Sequence, residues 1–231
     1  MLKAFQFEGT GSNFTAQDIR ITNGSGPLYS LDNAWWNTAP QIFMRDANGA
    51  YSIQYFFLED GIPNGDGTFS PGWVDFQANP VTDKIDVAQG FWILDTFNTA
   101  PKYTLAGQVV EDASYEATYT CADGYNLAAN PYPMPFNPND VAWTGLETAP
   151  FYSLDNEWWT TAPQIFVRDA NGAYTDTYYY LADGVPNGDG TYSPGWVDFQ
   201  GFPVTTAAIP AGDGFWFYNT LNTTVKAVFS K

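Results

Sequence analysis

Residues 29–51 read YSLDNAWWNTAPQIFMRDANGAY, residues 152–174 read YSLDNEWWTTAPQIFVRDANGAY, and this duplicated stretch decides the fold. Both copies lie in a longer repeat, since residues 28–77 match residues 151–200 at 38 of 50 positions with a constant shift of 123. A repeat of this length indicates a domain, because a solenoid turn spans only roughly 20–50 residues.

The repeat predicts two domains, the first over residues 1–106 and the second over residues 107–231. Gly (21 residues) and Pro (16 residues) interrupt the chain throughout. No window shows the i, i+3, i+4, i+7 apolar spacing of an amphipathic helix, and short alternating runs bounded by turn residues predominate. The predicted fold class is therefore all-β, with two tandem antiparallel β-sandwich domains related by internal duplication.

A β-hairpin is predicted inside each copy of the repeat. Residues 41–46 and residues 50–58 alternate in polarity and flank Ala47-Asn48-Gly49, a turn sequence typical of hairpins. Residues 164–169 and 173–181 repeat the pattern. Counting the other short runs in the same way gives seven or eight predicted strands per domain.

The two copies differ at their edges. Residues 108–121 are predicted to open the second domain with a hairpin, and residues 1–7 already align with residues 124–130. The first domain therefore has no counterpart of that hairpin, although residues 102–110 are predicted to close it with a strand. We expect an unpaired strand edge in the first domain, and such an edge is a template for another chain.

Composition excludes several function classes. Eight Lys and Arg against 25 Asp and Glu give a net charge of −17, which repels phosphate backbones and anionic lipids. No apolar run approaches the ~18 residues of a membrane span. We therefore expect neither nucleic acid as a partner nor insertion into a membrane.

Catalytic chemistry is also restricted. The chain has no His and a single Cys, Cys121, which removes Ser-His-Asp and Cys-His nucleophilic systems and the common zinc sites. A carboxylate pair could support glycoside hydrolysis, but 25 acidic residues make some proximity inevitable. We expect a protein that is not an enzyme. Cys121 is expected to be buried, with an intermolecular disulfide as the alternative.

A short motif opens the second copy: Gly124-Tyr125-Asn126-Leu127-Ala128-Ala129-Asn130-Pro131-Tyr132-Pro133, followed later by Gly212-Asp213-Gly214-Phe215-Trp216. It resembles the G-W-N-L-x-x-N-P-Y-P start and G-x-G-F-W end of a tandem β-domain repeat found in secreted and surface proteins of Gram-negative bacteria. The resemblance covers most of residues 107–231. In the first copy only Gly90-Phe91-Trp92 matches, and Tyr125 stands where the pattern has Trp.

The resemblance implies a β-domain and a location, and it implies no activity. We expect the protein to be secreted or displayed on the cell surface. Residues 1–4 run directly into polar residues, so the leader is expected to be absent from this numbering.

A Gly-rich loop with side-chain oxygens occurs in both copies, over residues 60–68 and residues 183–191. Oxygens spaced two and four residues apart can wrap a hard cation, so calcium is a candidate cofactor, although the spacing is not that of an EF-hand. The alternative is a pair of tight turns, for which Asn-Gly and Asp-Gly are common. The candidate ligands are Asp60, Asn64, Asp66, Asp183, Asn187 and Asp189.

Adjacent tryptophans form the second candidate site, Trp35 with Trp36 and Trp158 with Trp159. In a strand, neighbouring side chains point to opposite faces, so one ring of each pair would leave the core. An outward Trp can anchor a subunit interface or stack on the sugar ring of a glycan. If the pair lies in a loop, both rings can instead pack in the core or at the domain junction.

Two functions follow as expectations. The first is a structural, self-assembling subunit of a bacterial surface filament or layer, a homopolymer built head-to-tail through β-strand complementation. The second is a tandem carbohydrate-binding module or adhesin that uses the paired tryptophans bivalently.

Overall fold

The structure is a computed structural model. It describes residues 15–29, 34–46, 50–85, 90–97, 102–105, 116–131, 134–152, 157–169, 173–206, 208–211 and 213–230. These residues are mostly strand, turn and loop, so the predicted all-β class is confirmed. The chain divides into two compact units, the first mainly Phe7–Asp86 with Phe91–Val110 and the second mainly Glu111–Lys231. The predicted boundary at 106–107 lies outside the described residues.

The first unit contains two antiparallel sheets. Its elements in chain order are a 3-10 helix (Ala16–Asp18), β1 (Ile19–Thr22), α1 (Trp35–Thr38), β2 (Gln41–Met44), β3 (Ile53–Pro63), β4 (Phe69–Val74), β5 (Trp92–Leu94) and β6 (Lys102–Leu105). The larger sheet has the order β4-β3-β2-β5, and the smaller sheet pairs β1 with β6. In the smaller sheet Ile19 lies opposite Leu105.

The second unit repeats this plan with more strands. Its elements in chain order are β7 (Glu116–Cys121), β8 (Gly124–Ala129), a 3-10 helix (Pro138–Asp140), β9 (Ala142–Thr144), α2 (Trp158–Thr161), β10 (Gln164–Arg168), β11 (Tyr174–Pro186), β12 (Tyr192–Val197), β13 (Gly214–Asn219) and β14 (Val225–Ser230). The larger sheet has the order β12-β11-β10-β13-β8, and the smaller has the order β7-β14-β9.

The predicted hairpin strands pair antiparallel in both units, β2 with β3 and β10 with β11. Side chains support the turn between them, because a carboxylate oxygen of Asp46 accepts a hydrogen bond from the backbone N–H of Ala50 (3.0 Å). Asp169 accepts the same bond from Ala173 (2.9 Å). The turn residues 47–49 and 170–172 lie outside the described residues.

Apolar side chains from both sheets of the second unit meet in one core, which makes the unit sandwich-like. Val225, Ala227 and Phe229 alternate along β14 and are buried against residues of the larger sheet such as Phe215 and Phe217. This is the period-two pattern of a strand with one face in the core. The Cys121 thiol belongs to the same core, as expected from the sequence.

The asparagines of the N-L-x-x-N motif are structural. Asn126 is fully buried, and its amide donates to the carbonyls of Ala122 and Gly124 (2.8 Å each). Asn130 is equally buried and donates to the carbonyls of Met134 and Pro210 (2.9 Å each). Because buried amides must be hydrogen-bonded, these residues fix the turns that flank β8.

An amide side chain from each 3-10 helix closes the edge of the larger sheet. Gln17 donates to the carbonyl of Trp73 and accepts from its N–H (3.0 Å). In the second unit Asn139 donates to the carbonyl of Trp196 (3.0 Å) and accepts from its N–H (2.6 Å). Each amide also donates to the carbonyl of a valine after the edge strand, Val81 for Gln17 and Val204 for Asn139. The two units thus use side chains of different length for the same three bonds.

The small sheets differ in width. In the second unit β14 has a partner on each side, β7 and β9. In the first unit β6 has β1 on one side, and among the described residues no strand pairs with its other edge. Residues 1–7 and 108–115, on which the predicted difference between the copies depends, lie outside the described residues.

We predict that Asn139→Ala lowers the free energy of unfolding of the second unit by about 3 kcal/mol, since three hydrogen bonds of about 1 kcal/mol each are lost. Urea unfolding followed by tryptophan fluorescence measures this loss. Thr206→Ala, at an exposed position, is the control. A loss no larger than that of the control would contradict the role of Asn139.

Candidate functional site

The tryptophan pairs lie at the start of one-turn helices, which is neither the strand nor the loop that the sequence left open. Consecutive helical residues point about 100° apart, which still separates the two rings. Trp35 and Trp158 are each 4% exposed, whereas Trp36 and Trp159 are each 37% exposed. One ring of each pair therefore packs inside its unit and the other reaches the surface.

Side chains from β2 and from the segment after β5 fix the end of α1. Because Pro40 follows, Ala39 is extended and the helix ends at Thr38. The Gln41 amide donates to the carbonyl of Trp36 (3.0 Å), and the Thr96 hydroxyl donates to the carbonyl of Thr38 (2.6 Å). Gln164 and Thr220 make the corresponding bonds at the end of α2.

Each unit carries an aromatic cluster built around its buried tryptophan. The first cluster consists of Tyr29, Trp35, Trp36 and Phe76, and the second consists of Tyr152, Trp158, Trp159 and Phe199. The Trp35 ring centroid lies 6.0 Å from that of Tyr29, 5.8 Å from Trp36 and 6.3 Å from Phe76. The corresponding distances from Trp158 are 5.7, 5.8 and 6.3 Å.

The clusters cover the face of the larger sheet that is turned away from the sandwich core. Trp35 packs edge-on against Phe56 of β3 (5.1 Å), together with buried Leu58 and Val74. Phe57, the neighbour of Phe56, belongs instead to the core between the sheets, where it contacts Trp73. The alternation of side chains along β3 therefore separates the cluster from the core.

Sequence reasoning missed Phe76 and Phe199, the most exposed rings of the two clusters at 58% and 57%. Each stands on a turn that an aspartate preorganises. Asp75 accepts from the backbone N–H of Gln77 (2.9 Å) and of Asn79 (2.8 Å). Asp198 makes the equivalent bonds in the second unit. The signal available in the sequence was the triplet Asp-Phe-Gln, which ends both copies of the repeat unchanged.

Two of the candidate calcium ligands hold the aromatic clusters. A carboxylate oxygen of Asp60 accepts from the backbone N–H of Tyr29 (2.8 Å), and Asp183 accepts from that of Tyr152 (2.7 Å). Each pair is 31 residues apart in the sequence. These aspartates therefore tie the segment before the helix to the long strand β3 or β11.

The other four candidate ligands form tight turns. Asp66 accepts from the backbone N–H (2.9 Å) and the hydroxyl (2.6 Å) of Thr68. Asn64 donates to the Thr68 hydroxyl (2.9 Å) and accepts from Ser70 (2.9 Å). Asn187 and Asp189 repeat these bonds with Thr191 and Ser193.

The structure thus shows the geometry of the turn alternative. Gly65 has φ of 83° and Gly67 has φ of 89°, values that favour glycine. Among the described residues no group of three or more acidic or cysteine side chains is placed to hold a metal ion. Calcium binding stays a prediction.

The chain matches no protein-family model, no curated protein and no solved structure at a significant level. The family resemblance of the second copy therefore stays a prediction. Within the described part of the chain, no helix has the length and apolar character needed to cross a membrane.

We predict low titration midpoints for Asp66 and Asp189. Hydrogen bonds from the Thr68 hydroxyl and then its backbone N–H lower the pKa of Asp66 below its usual 3.8, and Thr191 lowers the pKa of Asp189 in the same way. The bonds stabilise the ionised carboxylates in the folded protein. Their contribution to folding stability is therefore present above pH 3.8 and is lost as the pH falls through the lowered pKa. Carboxyl NMR titration measures both midpoints.

Thr68→Val supplies the matched comparison, because it removes the hydroxyl donor and keeps the backbone donor. The midpoint of Asp66 should rise toward 3.8, while that of Asp189 in the same molecule should stay low. Equal midpoints in the variant would contradict the assignment.

Proposed function

We propose that the protein is a non-catalytic structural subunit, secreted or displayed on a bacterial surface, that assembles into a filament or layer through β-strand complementation. The observation that carries this proposal is the difference between the small sheets. The edge of β14 that β7 occupies corresponds to an edge of β6 with no partner among the described residues.

The second unit shows what a strand contributes at this position. β7 runs antiparallel to β14, with Ala117 opposite Phe229 and Cys121 opposite Val225. Ala117 and Cys121 are both buried in the core of the unit. A complementing strand therefore supplies backbone hydrogen bonds and core side chains together, which is the chemistry of β-augmentation.

One edge of each larger sheet, formed by β4 or β12, is closed against the same kind of pairing. Pro71 lies in edge strand β4 and Pro194 in edge strand β12, and proline lacks the N–H that a new strand would need. Beyond each proline, the chain folds back to pair Val74 with Pro80 and Val197 with Pro203. Such blocking is a common protection of edges, and its presence on β4 favours β6 as the acceptor.

An acceptor on one unit alone makes the subunit polar. A contact between an acceptor on one molecule and a donor elsewhere on the next is heterologous, and a heterologous contact that does not close into a ring grows into an open polymer. The absence of His from the chain and the burial of its only Cys favour a structural role over catalysis. The surface location rests on the resemblance of the second copy.

We predict that the purified protein forms species larger than the 25.5 kDa chain as concentration rises, measured by light scattering and electron microscopy. Adjacent N–H groups of a strand face opposite edges, so proline at either Tyr103 or Thr104 removes a donor from the open edge of β6, and that variant should reduce assembly. Thr144→Pro in β9 is the control, because it places proline in the small sheet of the other unit. Circular dichroism measures whether the variants are folded.

Hydrogen exchange gives an independent measurement on the unmodified protein. Amides of residues 102–105 should exchange more slowly in the polymer than in the monomer, whereas those of β14 should be protected in both. A 25.5 kDa species at every concentration, with and without calcium, would refute the proposal.

A further inference from the structure

The surface of each aromatic cluster consists of exposed rings inclined to one another. The ring centroids of Trp36 and Phe76 are 5.8 Å apart with an interplanar angle of 48°. Those of Trp159 and Phe199 are 5.9 Å apart with an angle of 58°. Both units therefore present nearly the same pair of aromatic faces to solvent.

These exposed rings are identical in the two copies, whereas one buried ring beneath them differs. Phe56, which packs against Trp35, becomes Tyr179, which packs against Trp158, and both are buried. Trp36 and Phe76 keep 37% and 58% of their surface exposed, so they add less burial energy than the core rings that they touch. Their retention indicates contact with something outside the chain.

The surface that is identical around the exposed rings in both copies is small. Residues beside the rings differ between the copies, since Ala34 becomes Glu157, Asn37 becomes Thr160 and Asn79 becomes Phe202. A protein partner would bury about 800 Å² on each side and would contact 20–30 residues, these neighbours included. An occupant shared by both copies must therefore contact little beyond the rings.

The chemistry of the site favours an uncharged ligand with apolar C–H faces and hydroxyl groups. The face of an aromatic ring is electron-rich and attracts C–H groups. Gln77 and Gln200 directly follow the exposed phenylalanines, are themselves exposed and carry both donors and acceptors. The net charge of −17 disfavours anionic ligands.

We propose that each aromatic cluster binds one neutral sugar ring, so that the chain engages a neutral polysaccharide at two sites. In the first unit, Tyr103 of β6 packs against the core between the sheets. The aromatic cluster lies on the other face of the larger sheet, away from that core. Sugar binding is therefore separate from strand complementation. Two linked sites that one polymer can span bind it far more tightly than one site does.

The test is calorimetry with a panel of neutral oligosaccharides, namely gluco-, manno-, xylo- and galacto-oligosaccharides. The expected stoichiometry is two sugars per chain for at least one member of the panel. Phe76→Ala or Phe199→Ala should reduce it to one, and the double variant should abolish binding. Phe69→Ala with Tyr192→Ala is the matched control, because both rings are exposed to the same degree outside the clusters.

Soluble polysaccharides of the same sugars measure the linkage of the two sites. Each single variant should lower the apparent affinity for the polymer at least tenfold, while its remaining site keeps its affinity for the oligosaccharide. Absence of binding to every member of the panel would overturn the proposal, as would undiminished binding by the double variant. Assembly of the same double variant should be unchanged. The test of sugar binding is therefore independent of the test of the proposed assembly.

Discussion

The bond between a 3-10 helix and the edge of the larger sheet is the interaction on which each unit depends. Gln17 or Asn139 satisfies both backbone groups of the buried tryptophan at that edge. The same 3-10 helix leads directly into β1 or β9 of the small sheet. One amide therefore fixes the position of the two sheets. A unit without it would leave the backbone N–H of the tryptophan unsatisfied, whereas the tryptophan carbonyl would still accept from Val81 or Val204.

Sequence patterns predicted the strands well, because alternation and the Ala-Asn-Gly turn are local signals. They did not predict α1, since a helix of four residues is shorter than any useful period and is fixed by Gln41 and Thr96 from other elements. Phe76 was missed for a similar reason, as it meets Trp36 only in three dimensions. The loop of Asn64 and Asp66 has residues typical of both a tight turn and a cation site, so its composition did not decide between these two interpretations.

Residues that appear in separate motifs of the sequence belong to one cluster in the structure. Asp60 was a candidate metal ligand and Trp36 a candidate contact residue, yet Asp60 anchors the segment that carries Tyr29 beside Trp35. Each larger sheet thus has one face in the core and one face that supports the aromatic cluster. The exposed rings on this outer face are identical in the two copies, although the residues beside them differ.

The prolines in edge strands β4 and β12 also bear on the shape of the proposed polymer. An aromatic-rich sheet with an open edge tends to stack without limit into amyloid-like aggregates. Pro71 and Pro194 block that route at the β4 and β12 edges of the larger sheets, while the small sheet of the first unit carries no such block among its described strands. Under the proposed strand complementation, chains that add through that sheet alone would extend along one line and form fibres.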